Sequence, residues 1–89
     1  MLILVEHTIT NQDVFFGLVQ KVTKAPSGIK ALQFFPSMDK NQAVCLWEAN
    51  SVDALKGFLE PLITKSSRNI YYAVDSKKAM GLPSLASAA

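Results

Sequence analysis

Histidine, cysteine and tryptophan each occur once in this 89-residue chain, and they are among its most chemically versatile side chains. His7 is the one best suited to proton transfer, because an imidazole titrates near neutral pH. At the end of an apolar N-terminal segment, it can act as a general base or as a metal ligand. It can equally be an exposed histidine at a strand end, or one that is hydrogen-bonded to a neighbouring strand. The sequence leaves these interpretations open.

Glu48 is the second candidate, because it places a carboxylate in an otherwise apolar segment. A buried carboxylate without a partner can serve as an acid or a base. The simpler alternative is that Glu48 pairs with Arg68 or with a lysine near the following helix. Both alternatives fit the sequence.

Two aromatic residues, Trp47 and Tyr71, are candidates for the wall of a ligand pocket, since each offers a large apolar face and a polar group. Core packing explains Trp47 equally well. Cys45 lies on the same apolar strand, which is typical of an inert buried thiol. A pocket is mostly apolar with a few polar groups that fix the ligand. We therefore expect His7 and Glu48 to be the polar contacts of any ligand, with the two aromatic residues as its walls.

The sequence assigns no cofactor and no metal. A protein metal site usually needs three or four ligands, and one histidine and one cysteine form no such cluster by spacing. A glycine-rich phosphate loop, a nucleophile elbow, a zinc motif and an EF-hand loop are all missing from the sequence.

Charge and composition exclude several classes of partner. The net charge is only +2 and the nine basic residues are scattered, so no basic stripe is available for nucleic acid. The apolar N-terminal run ends at Glu6, which makes it too short for a signal sequence or a membrane span. A free thiol without an export signal favours the cytoplasm.

Hydrophobic periodicity predicts four strands and two helices. The strands are expected at residues 2–9, 29–35, 43–49 and 69–74, and the first helix at residues 12–24. The second helix is expected to follow Ser51, with an apolar stripe of Leu55, Phe58, Leu59 and Leu62. Thr10 or Asn11 and Ser51 are the N-cap candidates. Pro61 lacks a backbone donor and predicts a break or kink of the second helix near Glu60. The apolar stripe of the first helix is expected to contain Val14, Phe15, Leu18, Val19 and Val22, with Phe16 outside it.

This order predicts an α+β fold of the ferredoxin-like type, β-α-β-β-α-β, as one domain over residues 1–75 with a C-terminal tail at 76–89. Right-handed crossovers place both helices on one face of a four-stranded antiparallel sheet with order 4-1-3-2. His7 and Glu48 then lie towards opposite ends of strands one and three. Because these strands are apolar on both faces, the second face needs a cover. A second copy of the sheet is the simplest one, since two-fold dimers are the commonest oligomers.

The element order also resembles the dimeric α+β-barrel superfamily, in which two ferredoxin-like sheets face each other. VCLWEA at residues 44–49, leading into SVDAL at 51–55, resembles the strand-to-helix joint of small stand-alone bacterial members. EHT at residues 6–8 is similar to the end of their first strand. The resemblance covers residues 2–75 and implies a homodimer. The superfamily includes metal-binding proteins, cofactor-independent monooxygenases and haem-degrading enzymes, but the last carry their axial histidine on a helix, unlike this chain.

Three classes of function follow. The first is a homodimer that binds a small apolar or aromatic molecule, or a metal, in the barrel. The second is a small enzyme, similar to monooxygenases or isomerases, that uses His7 or Glu48 for proton transfer. The third is a structural or interaction module without a ligand. A cavity that contains a polar residue favours the first two classes over the third.

Overall fold

The computed structural model describes residues 1–22 and 25–83, and it has the ferredoxin-like α+β fold predicted from the sequence. Four antiparallel strands form one sheet in the order β2-β3-β1-β4, which is the predicted order 4-1-3-2. The elements are β1 Leu2–Ile9, α1 Gln12–Val22, β2 Lys30–Pro36, β3 Gln42–Glu48, α2 Val52–Ile63 and β4 Ser67–Ala73. The last two residues predicted for the first helix, 23 and 24, lie outside the described residues.

Both helices begin at predicted capping residues. The side-chain oxygen of Asn11 accepts a hydrogen bond from the Val14 backbone N–H at 3.2 Å. The hydroxyl of Ser51 accepts one from the Ala54 backbone N–H at 3.0 Å. Each cap satisfies a backbone donor that has no partner within the first turn of its helix.

The predicted break of the second helix near Glu60 is wrong, because α2 continues through Pro61 to Ile63. Pro61 lies in the last turn, so its missing N–H removes a single hydrogen bond from a helix that is about to end. The helix closes with the backbone N–H of Thr64, which donates to the Glu60 carbonyl at 3.0 Å. Continuing for this last turn buries Ile63 in the core.

The prediction of the apolar stripe on the first helix is also wrong at one position. Val14 is exposed, and Phe16 is half-buried in its place. The Phe16 ring packs edge-on against Phe15 and Phe34, with centroid distances of 5.3 and 6.3 Å. Phe34 belongs to β2, so this aromatic partner depends on tertiary packing that helical spacing does not reveal.

The two helices cover one face of the sheet, and the core lies between them. Successive side chains of a strand alternate between the two faces, so the odd-numbered residues of β1 and β3 face the helices. The main core comprises Ile3, Val5, Cys45, Trp47, Ala49, Leu55, Leu59 and Ile63. A smaller cluster of Ile9, Phe15 and Ala43 lies towards the other end of the strands.

The opposite face, called here the open face, is covered in part by the segment that follows β4. This segment makes one turn, in which the Ala79 N–H donates to the Asp75 carbonyl at 3.0 Å. Residues 79–82 then share a crevice with Leu4, Val44 and Leu46 of the sheet. Three large apolar side chains of the open face remain exposed: Phe35, Ile70 and Tyr72.

Candidate functional site

A cavity of about 190 Å³ lies between the sheet and the two helices. Most of its wall is apolar, and three of its side chains are aromatic. The register of β2 against β3 shifts between Ala31 and Gln33, and the additional residue, Leu32, contributes to the wall. The principal wall residues on the helices and the sheet are Phe15, Val19, Phe34, Trp47, Leu59 and Ile63.

His7 reaches this cavity from β1 and is hydrogen-bonded on both sides. Its Nδ1 lies 2.6 Å from Oδ1 of Asn69 on β4, and its Nε2 lies 3.1 Å from Sγ of Cys45 on β3. The strand register explains this arrangement. His7 is opposite Asn69 on one side and Ala43 on the other, and Cys45 is the next residue after Ala43 on the same face.

The hydrogen bonds around Asn69 fix which ring nitrogen of His7 carries the proton. The Asn69 side-chain N–H donates to the Ser67 carbonyl at 3.3 Å, so its oxygen faces His7 as an acceptor. We therefore assign the proton to Nδ1 of His7, which leaves Nε2 as an acceptor. The Cys45 S–H then donates to Nε2. The resulting chain runs from thiol to imidazole to amide across three adjacent strands.

Burial keeps the thiol and the imidazole neutral. It lowers the pKa of His7, because the charged ring would lose its water, although the hydrogen bond to Asn69 and the negative charge of Glu60 oppose this change. Burial also raises the pKa of the Cys45 thiol to about 12, with the indole of Trp47 opposing the rise. Near neutral pH the pair is thus a thiol beside a neutral imidazole.

Two buried polar groups in the described part of the chain have no hydrogen-bond partner: Nε1 of Trp47 and the hydroxyl of Tyr71. The Trp47 side chain is only 2% exposed, and it lines the cavity. Its N–H lies near enough to the Cys45 sulfur to favour the thiolate, but the contact lacks the geometry of a hydrogen bond. An N–H of this kind costs about 1–3 kcal/mol when it is left unpaired. Trp47 thus contributes an unpaired N–H to the residues that surround the cavity.

Tyr71 lies on the same face of the sheet as Trp47, but it is not part of the cavity wall. Its ring packs against the main core, and the Lys56 ammonium lies 5.6 Å from the ring centroid. Burial raises the pKa of Tyr71, and the neighbouring carboxylate of Glu60 raises it further. The hydroxyl is therefore protonated near neutral pH. It is near Glu60 without meeting it in hydrogen-bond geometry.

Glu48 lies away from the cavity, at the far end of β3. Its cross-strand neighbours are Lys30 on β2 and Leu2 on β1, and it borders a separate surface groove. Glu48 and His7 are far apart in the structure. This agrees with the prediction that they lie towards opposite ends of the two strands. The alternative pairing of Glu48 with Arg68 is wrong, because Arg68 is opposite Thr8 at the other end of β1.

Within residues 1–22 and 25–83, no three side chains of the metal-ligating types His, Cys, Asp and Glu form a group. His7 and Cys45 are adjacent, and a third ligand does not join them there. Comparison with models of protein families, with curated proteins and with solved structures found no match to this chain. The cavity and its polar side chains are therefore the main evidence for function.

Sequence reasoning missed Asn69, Leu32 and Gln33 as site residues, and it assigned the apolar wall residues of the helices to the core alone. Asn69 is two positions before Tyr71, so the alternation of β4 places both on the helix-facing side. That signal identifies the face but not the partner, because the partner depends on the register between β1 and β4. Leu32 faces the cavity through a bulge, for which the sequence carries no glycine or other marker.

Proposed function

We propose that the protein binds a small apolar or aromatic molecule in the cavity between the sheet and the helices, and that this molecule carries one hydrogen-bond acceptor. The observation that carries the proposal is the buried, unpartnered indole N–H of Trp47 in the wall of a mostly apolar cavity. Such a donor gains a partner when an acceptor on a ligand occupies the cavity. A ligand pocket commonly has this composition, with apolar walls and few polar groups.

The volume of the cavity matches a ligand of about one ring. An engineered apolar cavity of roughly 150 Å³ in another protein holds benzene, and the cavity here is of about 190 Å³. The rings of Phe15, Phe34 and Trp47 suit an aromatic or alicyclic ligand, because ring pairs pack favourably edge to face or offset. The described wall contains no lysine, arginine or carboxylate, so a charged ligand would be buried without a counter-charge, at a high cost.

We also propose that the protein is a homodimer that pairs through the open face. Phe35, Ile70 and Tyr72 give this face an exposed apolar surface, which is the kind of surface that marks an interface. Glu6 and Arg68 add one charge of each sign on neighbouring strands, β1 and β4. A two-fold axis allows each charge to meet its opposite on the second copy. The resemblance to dimeric α+β-barrel proteins implies the same pairing.

Neither helix in the described ranges has the length and apolar character required to cross a membrane. The sequence-based expectation of a cytoplasmic location rests on the free thiol of Cys45 and stays a prediction.

Isothermal titration calorimetry with two small probes tests the binding proposal. Acetophenone has a ring and a carbonyl acceptor, whereas ethylbenzene has nearly the same shape without the acceptor. We expect acetophenone to bind more tightly, by about 1 kcal/mol or about fivefold, because only its carbonyl can accept from Trp47. Trp47→Phe keeps an aromatic wall but removes the donor, so it should abolish this preference.

Glu48→Gln is the matched control, because Glu48 lies outside the cavity. It should bind acetophenone as the wild type does. Absence of binding by both probes to the folded wild-type protein contradicts the proposal. So does an equal affinity for the two probes that Trp47→Phe leaves unchanged.

A further inference from the structure

Cys45, His7 and Asn69 have the relative positions of a nucleophile, a base and a residue that orients the base. The thiol is within hydrogen-bond reach of Nε2, at 3.1 Å, and Asn69 holds the opposite side of the ring at 2.6 Å. A base placed in this way can take the thiol proton while the sulfur forms a bond. Both Cys45 and His7 line the cavity, so a ligand that fills the cavity would contact these two residues.

The unpartnered N–H of Trp47 is a second and independent sign of a ligand at this point. It lies beside the Cys45 sulfur and is buried with the rest of its side chain. An acceptor that bonds to this N–H therefore brings the adjoining carbon atoms of the ligand next to the thiol. A donor, a nucleophile and a base thus converge on one end of the cavity.

We propose that the cavity takes a small, apolar α,β-unsaturated ketone or aldehyde and that Cys45 adds covalently to its β-carbon. This inference rests on the proposed function, because the electrophile must first occupy the cavity. The ligand carbonyl accepts a hydrogen bond from Trp47, and the conjugated double bond lies next to Sγ of Cys45.

The addition needs no co-reactant beyond the ligand. His7 takes the S–H proton on Nε2 while the sulfur forms a bond to the β-carbon. The electrons of the carbon–carbon double bond move to give an enolate, whose oxygen accepts from the Trp47 N–H. The enolate then takes the proton from Nε2 at its α-carbon. The product is a neutral thioether, with no leaving group, no external oxidant or reductant, and a His7 that is neutral again.

Among the described wall residues, Trp47 has the one buried donor without a partner, and this favours the present chemistry over acyl transfer. A tetrahedral intermediate places a full negative charge on one oxygen, which is usually stabilised by more than one preorganised donor, and it also needs a leaving group. An enolate spreads its charge over carbon and oxygen, so one N–H beside the imidazolium is better matched to it. Since the resting thiol and imidazole are neutral, an electrophile that does not enter the cavity should react slowly with Cys45.

Asn69 is a positioning residue in this scheme, because it contacts His7 and not the ligand. It holds the proton on Nδ1 and so keeps Nε2 free to act as the base. Glu60 on α2 is a charged group that influences His7, and its negative charge stabilises the transient imidazolium.

Covalent labelling of the wild-type protein by 2-cyclohexen-1-one, followed by intact-mass spectrometry and peptide mapping, tests the inference. We expect one thioether per chain, located at Cys45. The rate should level off above the pKa of His7, because the neutral imidazole is then fully available as the base. A thiol that reacts without this base would accelerate by about tenfold per pH unit up to its own raised pKa. A rate that keeps rising in this way overturns the inference, and this measurement requires no variant.

Variants add a second, independent readout. His7→Gln should slow the labelling by about a hundredfold, the lower range for loss of a general base, and should remove the plateau. Trp47→Phe should slow it by about tenfold, while keeping the plateau, because the enolate oxygen loses one hydrogen bond. Labelling rates that are equal in the wild type and in folded His7→Gln contradict the inference.

Cyclohexanone, which has the same ring without the double bond, separates this inference from the proposed function. Binding of cyclohexanone by calorimetry, together with failure of 2-cyclohexen-1-one to modify Cys45, overturns the covalent step and leaves the binding function in place. Failure of both the ketone and the enone to bind overturns the two proposals together.

Discussion

At the scale of single residues, the structure shows how a histidine can lie in a hydrophobic layer. His7 is 4% exposed, yet both ring nitrogens have partners, so burial leaves neither of them unsatisfied. The charged form would have no such compensation, because Asn69 offers only one acceptor and the thiol cannot accept strongly. The neutral ring is therefore part of the folded structure, and its protonation should oppose folding.

The stability of the protein should depend on pH through His7. Its pKa is lower in the folded chain than its ordinary value of 6.5, so the unfolded chain binds the proton more readily. The free energy of unfolding should be at its full value above pH 6.5 and should fall as the pH decreases from 6.5 towards the lower folded pKa. Urea denaturation between pH 7.5 and about 5 measures this decrease.

His7→Gln supplies the control for that decrease, because glutamine keeps hydrogen-bonding groups and does not titrate. Its free energy of unfolding should depend much less on pH over the same window, since the variant has lost the only histidine of the chain. A wild-type protein with the same flat profile as His7→Gln would show that the folded pKa of His7 is not lowered.

His7 and Trp47 could be singled out from the sequence, whereas the hydrogen bonds that join His7 to Cys45 and Asn69 could not. A titratable group such as His7 can be recognised in the sequence because it interrupts a run of apolar residues. Its partners lie on β3 and β4, and the contacts are fixed by two strand registers. A shift of one residue in either register would turn the partner to the other face. For the same reason Cys45 was predicted to be inert.

At the scale of elements, the caps decide where the helices begin, and they are therefore suited to a stability test. Ser51→Ala should lower the free energy of unfolding by about 1 kcal/mol, because the Ala54 N–H loses its acceptor at the start of α2. Chemical denaturation monitored by circular dichroism measures the change. Ser27→Ala, at an exposed turn position, is the matched control and should stay within about 0.5 kcal/mol of the wild type.

The positions where the helices end were harder to predict from the sequence than the positions where they begin. An N-cap depends on a local side chain, and both starts were predicted correctly. The end of α2 depends on the burial of Ile63, which outweighs the single hydrogen bond that Pro61 removes. Likewise, the buried side of α1 contains Phe16 and not the predicted Val14, because Phe16 packs against Phe34, a residue of another element.

At the scale of the whole molecule, the element order and the sheet order could be predicted from alternating apolar segments and right-handed crossovers. The apolar character of the open face could also be predicted. The sequence did not show that residues 79–82 lie against this face, because a short segment rich in small residues has no periodicity to indicate its contact. The exposed surface left for a second copy is therefore narrower than the full sheet.

Dimerisation through the open face predicts the mass of the protein in solution. Light scattering at micromolar concentration should give about twice the 9.7 kDa chain mass. Ile70→Lys places a charge on the open face and should shift the protein towards the monomer, since an unpaired charge in an apolar interface is costly. Met38→Lys, at a fully exposed position in the β2–β3 loop, should leave the mass unchanged. A wild-type monomer contradicts the proposal.

The indole N–H of Trp47 offers the most direct test of a ligand in the cavity. Trp47 is the only tryptophan of the chain, so this N–H gives a single resonance in a nitrogen–proton correlation spectrum of the labelled protein. Acetophenone should move the resonance downfield in a saturable way, because its carbonyl accepts a hydrogen bond from the free N–H. Ethylbenzene should fill the same space without that downfield shift. A resonance that stays in place at high acetophenone concentration, or that moves equally with both compounds, contradicts a binding site built around Trp47.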